Sequence, residues 1–213
     1  MHGDILFINQ NHIEAVQNIY REKLEEKPLD KFIIAISGEV ESGKSEIAHL
    51  LGKKLLSDGV KAKVLNMDSY YKVPPSKRRQ WRRKEGLDKI GLNEYDWDKI
   101  KETITAFKEG KKVTIPYADV ITQQLDELTT DFNGIDVLIL NGLYTIALKE
   151  ADLKVFIELT YEETIDEQKR SQNETIDEWR LKELEQEHKA LQKLKDKADY
   201  YVDLDTSLTF YHL

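Results

Sequence analysis

One eight-residue segment constrains the fold of this chain more than any other feature. It reads Gly38-Glu-Val-Glu-Ser-Gly43-Lys44-Ser45 and fits the pattern G-x-x-x-x-G-K-[ST]. An apolar run of strand length, 31–37, precedes it, and a helical pattern over 45–57 follows it. Such a turn curls the backbone so that several N–H groups point inward, at the positive end of the helix dipole. The segment therefore predicts a phosphate-binding loop.

The loop also predicts how a nucleotide is held. Lys44 is expected to reach the β- and γ-phosphates, and the Ser45 hydroxyl is expected to bind Mg²⁺. Glu39 and Glu41 place negative charge within the loop, so their side chains are expected to point away from the phosphates. The predicted nucleotide-binding residues are Gly38, Glu39, Val40, Glu41, Ser42, Gly43, Lys44, Ser45 and Glu46.

Strand and helix patterns alternate along the rest of the chain. Strands are predicted at 4–8, 31–37, 62–67, 113–116, 136–140, 154–159 and 200–204. Helices are predicted at 12–25, 45–57, 76–84, 96–109, 162–171 and 175–197, and 117–134 is predicted to be a loop or small hairpin. The alternation predicts an α/β fold: a three-layer domain of the P-loop NTPase type with a mostly parallel five-stranded sheet.

We expect a single domain over 1–213. Residues 1–30 are interpreted as an N-terminal strand and helix extension. Residues 69–134 are interpreted as an insertion on the side of the phosphate acceptor, and 168–175 as a short lid.

The composition excludes several classes of protein. The 213 residues include no cysteine, so disulfides, thiol nucleophiles and cysteine-bound metals are ruled out. No apolar run approaches the roughly 20 residues that span a membrane, and no secretory signal is recognisable, so we expect a cytoplasmic protein without a membrane partner. The net charge of −8 makes nonspecific binding to DNA unexpected.

Polar residues follow the predicted central strands, where ligands of parallel sheets bind. Asp68 follows the second of them, and a carboxylate there can accept a proton from an attacking hydroxyl or hold Mg²⁺. The alternative is an aspartate that forms a turn or caps a helix. Asn141 ends the strand at 136–140 and can contact Mg²⁺ or its water. Ser45, Asp68 and Asn141 are therefore the predicted metal-binding residues.

These segments together resemble the uridine kinase and phosphoribulokinase group of P-loop kinases. The resemblance runs from about residue 32 to 205. It depends on five segments in a fixed order: GEVESGKS at 38–45, MDSYYK at 67–72, YDWDKI at 95–100, KEGKKVTIPYAD at 108–119 and VLILNGLY at 137–144.

The resemblance implies that ATP, or GTP, with Mg²⁺ donates its γ-phosphate to an alcohol group of a small-molecule acceptor. It places Asp68 at the catalytic base and Lys44 at the phosphates. It makes Arg170, with Lys169, the candidate cation of the lid. The acceptor-side residues that it implies are Tyr70, Tyr117, Thr122 and Gln124.

Three departures from the group leave a second hypothesis open. Uridine kinases usually carry a glutamate where this chain has Asn141, a histidine and an arginine near the positions of Thr122 and Gln124, and a lid richer in arginine. The alternative function is therefore a nucleotide-binding regulator or a catalytically inactive relative of the kinases. The acceptor, the preference for ATP or GTP and the presence of a homo-oligomer are not determined.

A cluster of basic residues at 77–84, with the sequence KRRQWRRK, has three interpretations. It is a solvated helix face, a set of cations that reach an anionic small ligand, or a nucleic-acid contact. No nucleic-acid-binding motif accompanies it, so no nucleic-acid partner is expected.

Overall fold

A five-stranded sheet lies at the centre of the molecule. The computed structural model describes residues 6–119, 121–171 and 176–204. The strands of the whole chain within those ranges are β1 (Phe32–Ser37), β2 (Ala62–Asn66), β3 (Lys112–Ala118), β4 (Leu125–Asp131), β5 (Val137–Gly142), β6 (Leu153–Ile157) and β7 (Tyr200–Val202). The central sheet has the order β2-β5-β1-β6-β7 with parallel neighbours throughout, which confirms the predicted α/β fold.

Helices cover this sheet. They are α1 (Gln10–Ile19), α2 (Lys44–Ser57), α3 (Pro75–Glu85), α4 (Trp97–Lys108), α5 (Ile165–Ser171) and α6 (Glu178–Gln192). A π-helical turn, Tyr20–Leu24, extends α1, and short 3₁₀ turns occur at Met67–Tyr70, Leu87–Lys89, Leu92–Glu94, Thr145–Ala147 and Lys195–Lys197. Within the described ranges no helix is both long and apolar enough to cross a membrane.

The central strands are apolar on both faces because both faces are covered. On β5, Val137 and Ile139 face one core, and Leu138 and Leu140 face the other. The first core contains α1 and α2, and the second contains α4 and the C-terminal end of α6. The continuous apolar run in each strand is therefore what a parallel sheet between two helical layers requires.

The chain between β2 and β5 leaves the sheet and returns to it. It contains α3, α4 and an antiparallel hairpin of β3 and β4, paired from Lys112 with Asp131 to Ala118 with Leu125. The sequence predicted a strand only at 113–116 and left 117–134 as a loop or small hairpin, and the structure has the hairpin. The second hairpin strand has polar, exposed residues along most of its length, so it lacks the apolar alternation that identifies a strand.

Several predicted element boundaries are wrong. The helix predicted at 162–171 begins at Ile165, and the helix predicted at 175–197 ends at Gln192. Residues 6–8, the described part of the strand expected at 4–8, are irregular, and α1 begins directly after Asn9, whose side chain caps it by accepting the backbone N–H of His12 at 3.1 Å. The helix expected from 175 begins at Glu178 instead. Its cap is Asp177, whose side chain accepts a hydrogen bond from the backbone N–H of Arg180 at 2.8 Å.

A buried ionic cluster joins α3 to α6. Arg82 donates to both carboxylate oxygens of Glu94, at 2.7 and 3.0 Å, and to Glu187 Oε1 at 2.7 Å. Although burial opposes charge, Glu187 and Glu94 raise the pKa of Arg82, and Arg82 and Arg180 lower the pKa of Glu187. The basic cluster at 77–84 is thus not uniformly solvated, since Arg82 is buried within an ion-pair network.

We expect Arg82→Ala to lower the free energy of unfolding by about 3–5 kcal/mol, because it removes the cation to which the buried carboxylates of Glu94 and Glu187 are both hydrogen-bonded. Urea unfolding followed by circular dichroism measures this loss. Arg83→Ala is the matched control on the same helix. Its side chain is 52% exposed against 3% for Arg82, so its ion pair with Asp177 should contribute less than about 1 kcal/mol. Equal losses for the two variants would contradict the prediction.

Candidate active site

The phosphate-binding loop connects the end of β1 to the start of α2. Its backbone takes left-handed conformations at Glu41 (φ 56°) and at Gly43 (φ 89°), where α2 begins. Close contacts restrict which side chains fit at the two glycine positions of the loop. A Cβ on Gly38 would lie 2.6 Å from Ser42 Oγ, and a Cβ on Gly43 would lie 2.6 Å from His12 Nε2. The two glycines of the motif are therefore required by close packing around the loop as well as by its curvature.

The Glu39 side chain points away from the loop, as the sequence predicted. It is only 3% exposed. One carboxylate oxygen accepts the backbone N–H of Tyr161 at 2.6 Å, and the other lies 2.6 Å from Nδ1 of His188 on α6. The Val40 carbonyl accepts the Thr164 hydroxyl at 2.9 Å. The loop is thus fixed to the segment after β6 and to α6.

Lys44 is the first residue of α2, and its ammonium group donates to the backbone carbonyl of Glu39. Burial lowers the pKa of Lys44, and Asp68 is the strongest of the nearby carboxylates that oppose this shift. A cation with reduced hydration lies at the loop, and Asp68 lies close enough to act on it. The structure therefore brings together two of the residues to which the sequence assigned catalysis.

Asn141 and Ser45 meet beside the loop. Asn141 pairs in register with Ile36 of β1 and Asn66 of β2, so it lies between the ends of these strands. Its amide donates to Ser45 Oγ at 3.2 Å, while its Oδ1 is buried and has no hydrogen-bond partner. A buried oxygen without a partner next to a serine hydroxyl suits a hard cation such as Mg²⁺, which prefers oxygen ligands. The residues present therefore fit a magnesium nucleotide.

Asp68 lies in the 3₁₀ turn directly after β2. Its backbone N–H donates to Asn66 Oδ1 at 2.8 Å, and Asn66 is the cap of that turn. Its carboxylate is exposed at the edge of the sheet where the phosphate loop lies. The capping role that was the alternative for Asp68 belongs instead to Asn66, which leaves the Asp68 carboxylate available for chemistry.

The lid candidates fall on α5. Gln168 is buried and donates to Thr164 Oγ1 at 3.0 Å, and exposed Lys169 pairs with Asp166 at 3.1 Å. Arg170 belongs to α5, but its side chain lies outside the described part of the molecule, as do residues 172–175 of the predicted lid. The assignment of Arg170 to the lid stays a prediction.

The residues predicted on the acceptor side lie in different parts of the structure. Tyr70 lies in the core, where its hydroxyl donates to Thr103 Oγ1 at 3.1 Å and burial raises its pKa to about 12. Tyr117 lies near the end of β3, next to Ala118, whose N–H donates to Ser69 Oγ at 3.1 Å beside Asp68. The structure thus gives Tyr70 a packing role and brings the strand of Tyr117 to the turn that carries Asp68.

Thr122 and Gln124 lie at the exposed tip of the β3–β4 hairpin. The backbone N–H of Thr122 donates to Asp119 Oδ1 at 2.6 Å, and the Gln124 amide donates to Ser76 Oγ at 3.2 Å. Both residues stabilise the tip and its contact with α3, and no hydrogen bond in the described structure joins them to the phosphate loop.

Sequence reasoning missed two residues that the structure places at the site. Tyr71, not Tyr70, is the tyrosine that faces α3, where its ring stacks under Arg78. His12, from the N-terminal helix, packs against Gly43. The motif pattern could not separate two adjacent tyrosines, and His12 lies some 30 residues before the loop, so only the packing of α1 on α2 brings it there.

A family model identifies this arrangement. The model described as the phosphoribulokinase / uridine kinase family matches residues 33–196. The chain belongs to this family. It is similar to uridine kinases of Ureaplasma parvum (28% identical over 160 residues, 70% of this chain and 76% of that protein) and Mycoplasma pneumoniae (28% over 182 residues, 80% and 84%).

A solved structure shares the fold. It is described as a possible uridine kinase from Bacillus stearothermophilus and superposes with a TM-score of 0.66 at 19% identity, over 89% of this chain and 98% of that one. As a member of the phosphoribulokinase / uridine kinase family, the chain is an ATP-dependent P-loop kinase that phosphorylates an alcohol group of a small molecule. The resemblance stated from the sequence is confirmed.

We expect Gly43→Ala to lower the free energy of unfolding by more than Gly59→Ala. Both glycines have positive φ, so both substitutions should cost roughly 1–2 kcal/mol of backbone strain. Only at Gly43 does the added Cβ collide with His12 and Leu204, since nothing lies within 4 Å at Gly59. Chemical unfolding of the two variants checks this order, and an equal cost would refute it.

We expect His12 to make stability fall on acidification. Burial lowers the pKa of His12 against the opposing effect of Glu46, so the folded protein keeps the ring neutral. The unfolded chain takes up the proton near the ordinary pKa of 6.5, and stability is therefore lost as the pH falls below that value. Urea unfolding at about pH 8 and about pH 5.5 should show a smaller loss for His12→Gln than for the wild type.

Proposed function

We propose that this kinase transfers the γ-phosphate of a magnesium nucleotide to an acceptor hydroxyl held beside Asp68. In this proposal the loop from Gly38 to Ser45, followed by Glu46, binds the phosphates, and Lys44 is their principal cation. Ser45, Asp68 and Asn141 hold Mg²⁺, which supplies charge neutralisation on the phosphates when bound. The buried Asn141 Oδ1 without a partner beside Ser45 Oγ supports this site.

Asp68 is proposed as the general base. The acceptor oxygen forms a bond to the γ-phosphorus, its proton passes to the Asp68 carboxylate, and the bond between the γ-phosphorus and the bridging oxygen breaks with its electron pair leaving on the nucleoside diphosphate. The single observation that carries this role is the position of Asp68: it is exposed in the turn directly after β2, at the sheet edge that carries the phosphate loop, and within electrostatic range of Lys44. A base and a phosphate cation in mutual range are what in-line transfer requires.

The acceptor is proposed to lie between Asp68 and the segment of 69–134, near Tyr117. The hydrogen bond from the Ala118 N–H to Ser69 Oγ supports this, because it fixes the end of β3 against the turn of Asp68. Arg170 of the lid is proposed to approach the transferred phosphoryl group. Residues 1–213 are proposed to act as one domain with an N-terminal extension and a short lid.

A regulator without activity is not favoured. The missing carboxylate at Asn141 and the sparse lid were sequence arguments for it, but Asn141 still donates its amide N–H to Ser45 Oγ and keeps its own Oδ1 free of a hydrogen-bond partner. The absence of a nucleic-acid partner, a cytoplasmic location and a homo-oligomer stay predictions.

We expect Asp68→Asn to lower kcat for acceptor phosphorylation by roughly 10²–10⁴-fold while ATP still binds, because the amide cannot take the proton. Lys44→Ala should instead weaken ATP binding itself. Asp88→Asn, on an exposed aspartate of the same insertion, is the control and should leave both quantities unchanged. ADP release over a panel of nucleosides, sugars, sugar phosphates and hydroxy acids measures the first quantity, and calorimetry with Mg²⁺ and ATP measures the second.

The proposal fails if Lys44→Ala binds ATP as the wild type does. It also fails if no acceptor raises ADP release above background in the wild type while Asp68→Asn leaves that background unchanged.

A further inference from the structure

One arginine of the basic cluster at 77–84 differs from the others in its partners. Arg79 and Arg83 both pair with Asp177, and Arg82 is buried among the carboxylates of the ionic cluster. Arg78, on the same helix, makes no ion pair with a carboxylate in the part of the chain that the structure describes. Its Nε and Nη2 atoms are shielded from solvent and have no hydrogen-bond partner. These two atoms carry three of the five N–H donors of the guanidinium. Arg79 Nε also has no hydrogen-bond partner, but Arg79 is paired with Asp177 and Arg78 with no carboxylate of the described residues.

The Arg78 guanidinium is held in a fixed place. It stacks on the ring of Tyr71 with 3.5 Å from its central carbon to the ring centroid. Tyr71 is itself buried and packs on Tyr95 at a centroid distance of 4.1 Å. Two carboxylates lie near it, and both are bound by Arg82: Glu94, on the same small cavity, through both oxygens, and Glu187, within electrostatic range, through Oε1. The aromatic stack therefore orients a charge that the protein itself does not neutralise through a hydrogen bond.

Leaving such a group unpaired costs free energy. A shielded polar atom without a partner is destabilising by about 1–3 kcal/mol, and a charged one by more. Structures retain such groups where a ligand completes them. The orphaned donors of Arg78 thus point to a ligand that accepts hydrogen bonds and carries negative charge.

Arg78 lies on the acceptor side of the site. Tyr71 follows Asp68 by three residues, and both Asp68 and Arg78 act electrostatically on its hydroxyl. A small cavity next to the stack is lined by Tyr71, Arg78 and Trp81, by Lys72, Val73 and Asn93, and by Glu94, whose carboxylate is already bound by Arg82. Lys72 is exposed and adds a second positive charge to the rim of that cavity.

We propose that Arg78 binds an anionic group, a phosphate or a carboxylate, on the alcohol acceptor. The substrate is then a charged hydroxy compound with its reactive hydroxyl at Asp68 and its oxyanion at Arg78. The planar fork of a guanidinium suits two oxygens of one oxyanion, which a neutral sugar or nucleoside does not offer. This inference rests on the proposed function, because Asp68 defines where the reacting hydroxyl lies.

The test uses pairs of acceptors that differ only in charge. Fructose 6-phosphate with fructose, ribose 5-phosphate with ribose, and glycerate with glycerol are offered to the full chain with Mg²⁺ and ATP, and ADP release is measured. The charged member of at least one pair should be the better acceptor by roughly 10-fold or more in kcat/KM. The phosphate pairs and the carboxylate pair distinguish the two oxyanions. A neutral member preferred in every active pair would overturn the proposal.

Arg78→Gln provides the second arm. It should lower kcat/KM for the charged acceptor by roughly 10- to 100-fold, mainly through KM, and leave the neutral one within about twofold. Arg78→Lys should restore part of the loss because it restores the charge. Arg83→Gln, on the same helix but paired with Asp177 at the surface, is the matched control and should leave kcat/KM for both the charged and the neutral acceptor unchanged. An equal loss of kcat/KM on charged and neutral acceptors would assign Arg78 a structural role and contradict the proposal.

A binding experiment decides the matter even if no acceptor in the panel is phosphorylated. With the phosphate loop saturated by Mg²⁺ and a non-hydrolysable ATP analogue, inorganic phosphate is titrated while tryptophan fluorescence is recorded, since Trp81 lines the same cavity. We expect saturable binding that weakens roughly 10-fold or more in Arg78→Gln and not in Arg83→Gln. If wild type and Arg78→Gln bind phosphate with equal affinity, or if neither binds it, the anion site is rejected. If the protein does not bind the ATP analogue, the proposed function itself is rejected.

Discussion

The buried carboxylate of Glu39 is the contact on which the organisation of this molecule depends. It lies within the phosphate loop but turns outward, where it accepts the N–H of Tyr161 and lies against the ring of His188. A buried carboxylate is costly unless it is paired, so this residue can occupy the loop only if the segment after β6 and helix α6 come to it. One side chain thereby ties the loop to the base of the lid and to a helix about 150 residues away.

The same helix carries that constraint to the acceptor side. Glu187, next to His188, accepts from Arg82 of α3, which also holds Glu94. A chain of polar contacts thus runs from the phosphate loop through α6 into the insertion, and its part between α6 and α3 is a buried ion-pair network. Pairs of this kind contribute little net stability, but breaking one is expensive, so they specify a unique arrangement. Here they fix the insertion against α6, next to the carboxyl ends of β2 and β5, where the proposed catalytic groups lie.

The proposed ligand sites lie at polar groups that this arrangement leaves without a hydrogen-bond partner. Asn141 Oδ1 next to Ser45 has no partner, and the shielded donors of Arg78 have none either. The first lies on the nucleotide side of the sheet edge and the second on the acceptor side. Asp68 lies within electrostatic range of both Lys44 and Tyr71, and so connects the two. Asn141 Oδ1 and the Arg78 donors are both among the buried polar atoms without a hydrogen-bond partner in the described structure, and they lie where the nucleotide and the acceptor are proposed to bind.

The sequence by itself determined the phosphate loop, the parallel sheet and the family, because these depend on local patterns: a glycine-rich turn between a strand and a helix, and apolar runs that alternate with helices. It also assigned Lys44 and Ser45 from the motif of the loop, and Asp68 and Asn141 because the ends of parallel strands meet at one edge. It could not choose Tyr71 over Tyr70, because adjacent residues differ only in which side of the chain they face. The roles of Glu39, Arg82 and Arg78 were decided by tertiary structure alone. Whether a charge is neutralised depends on partners that are distant in sequence. Only the packing of α3 and α6 decides whether such partners come within hydrogen-bond distance.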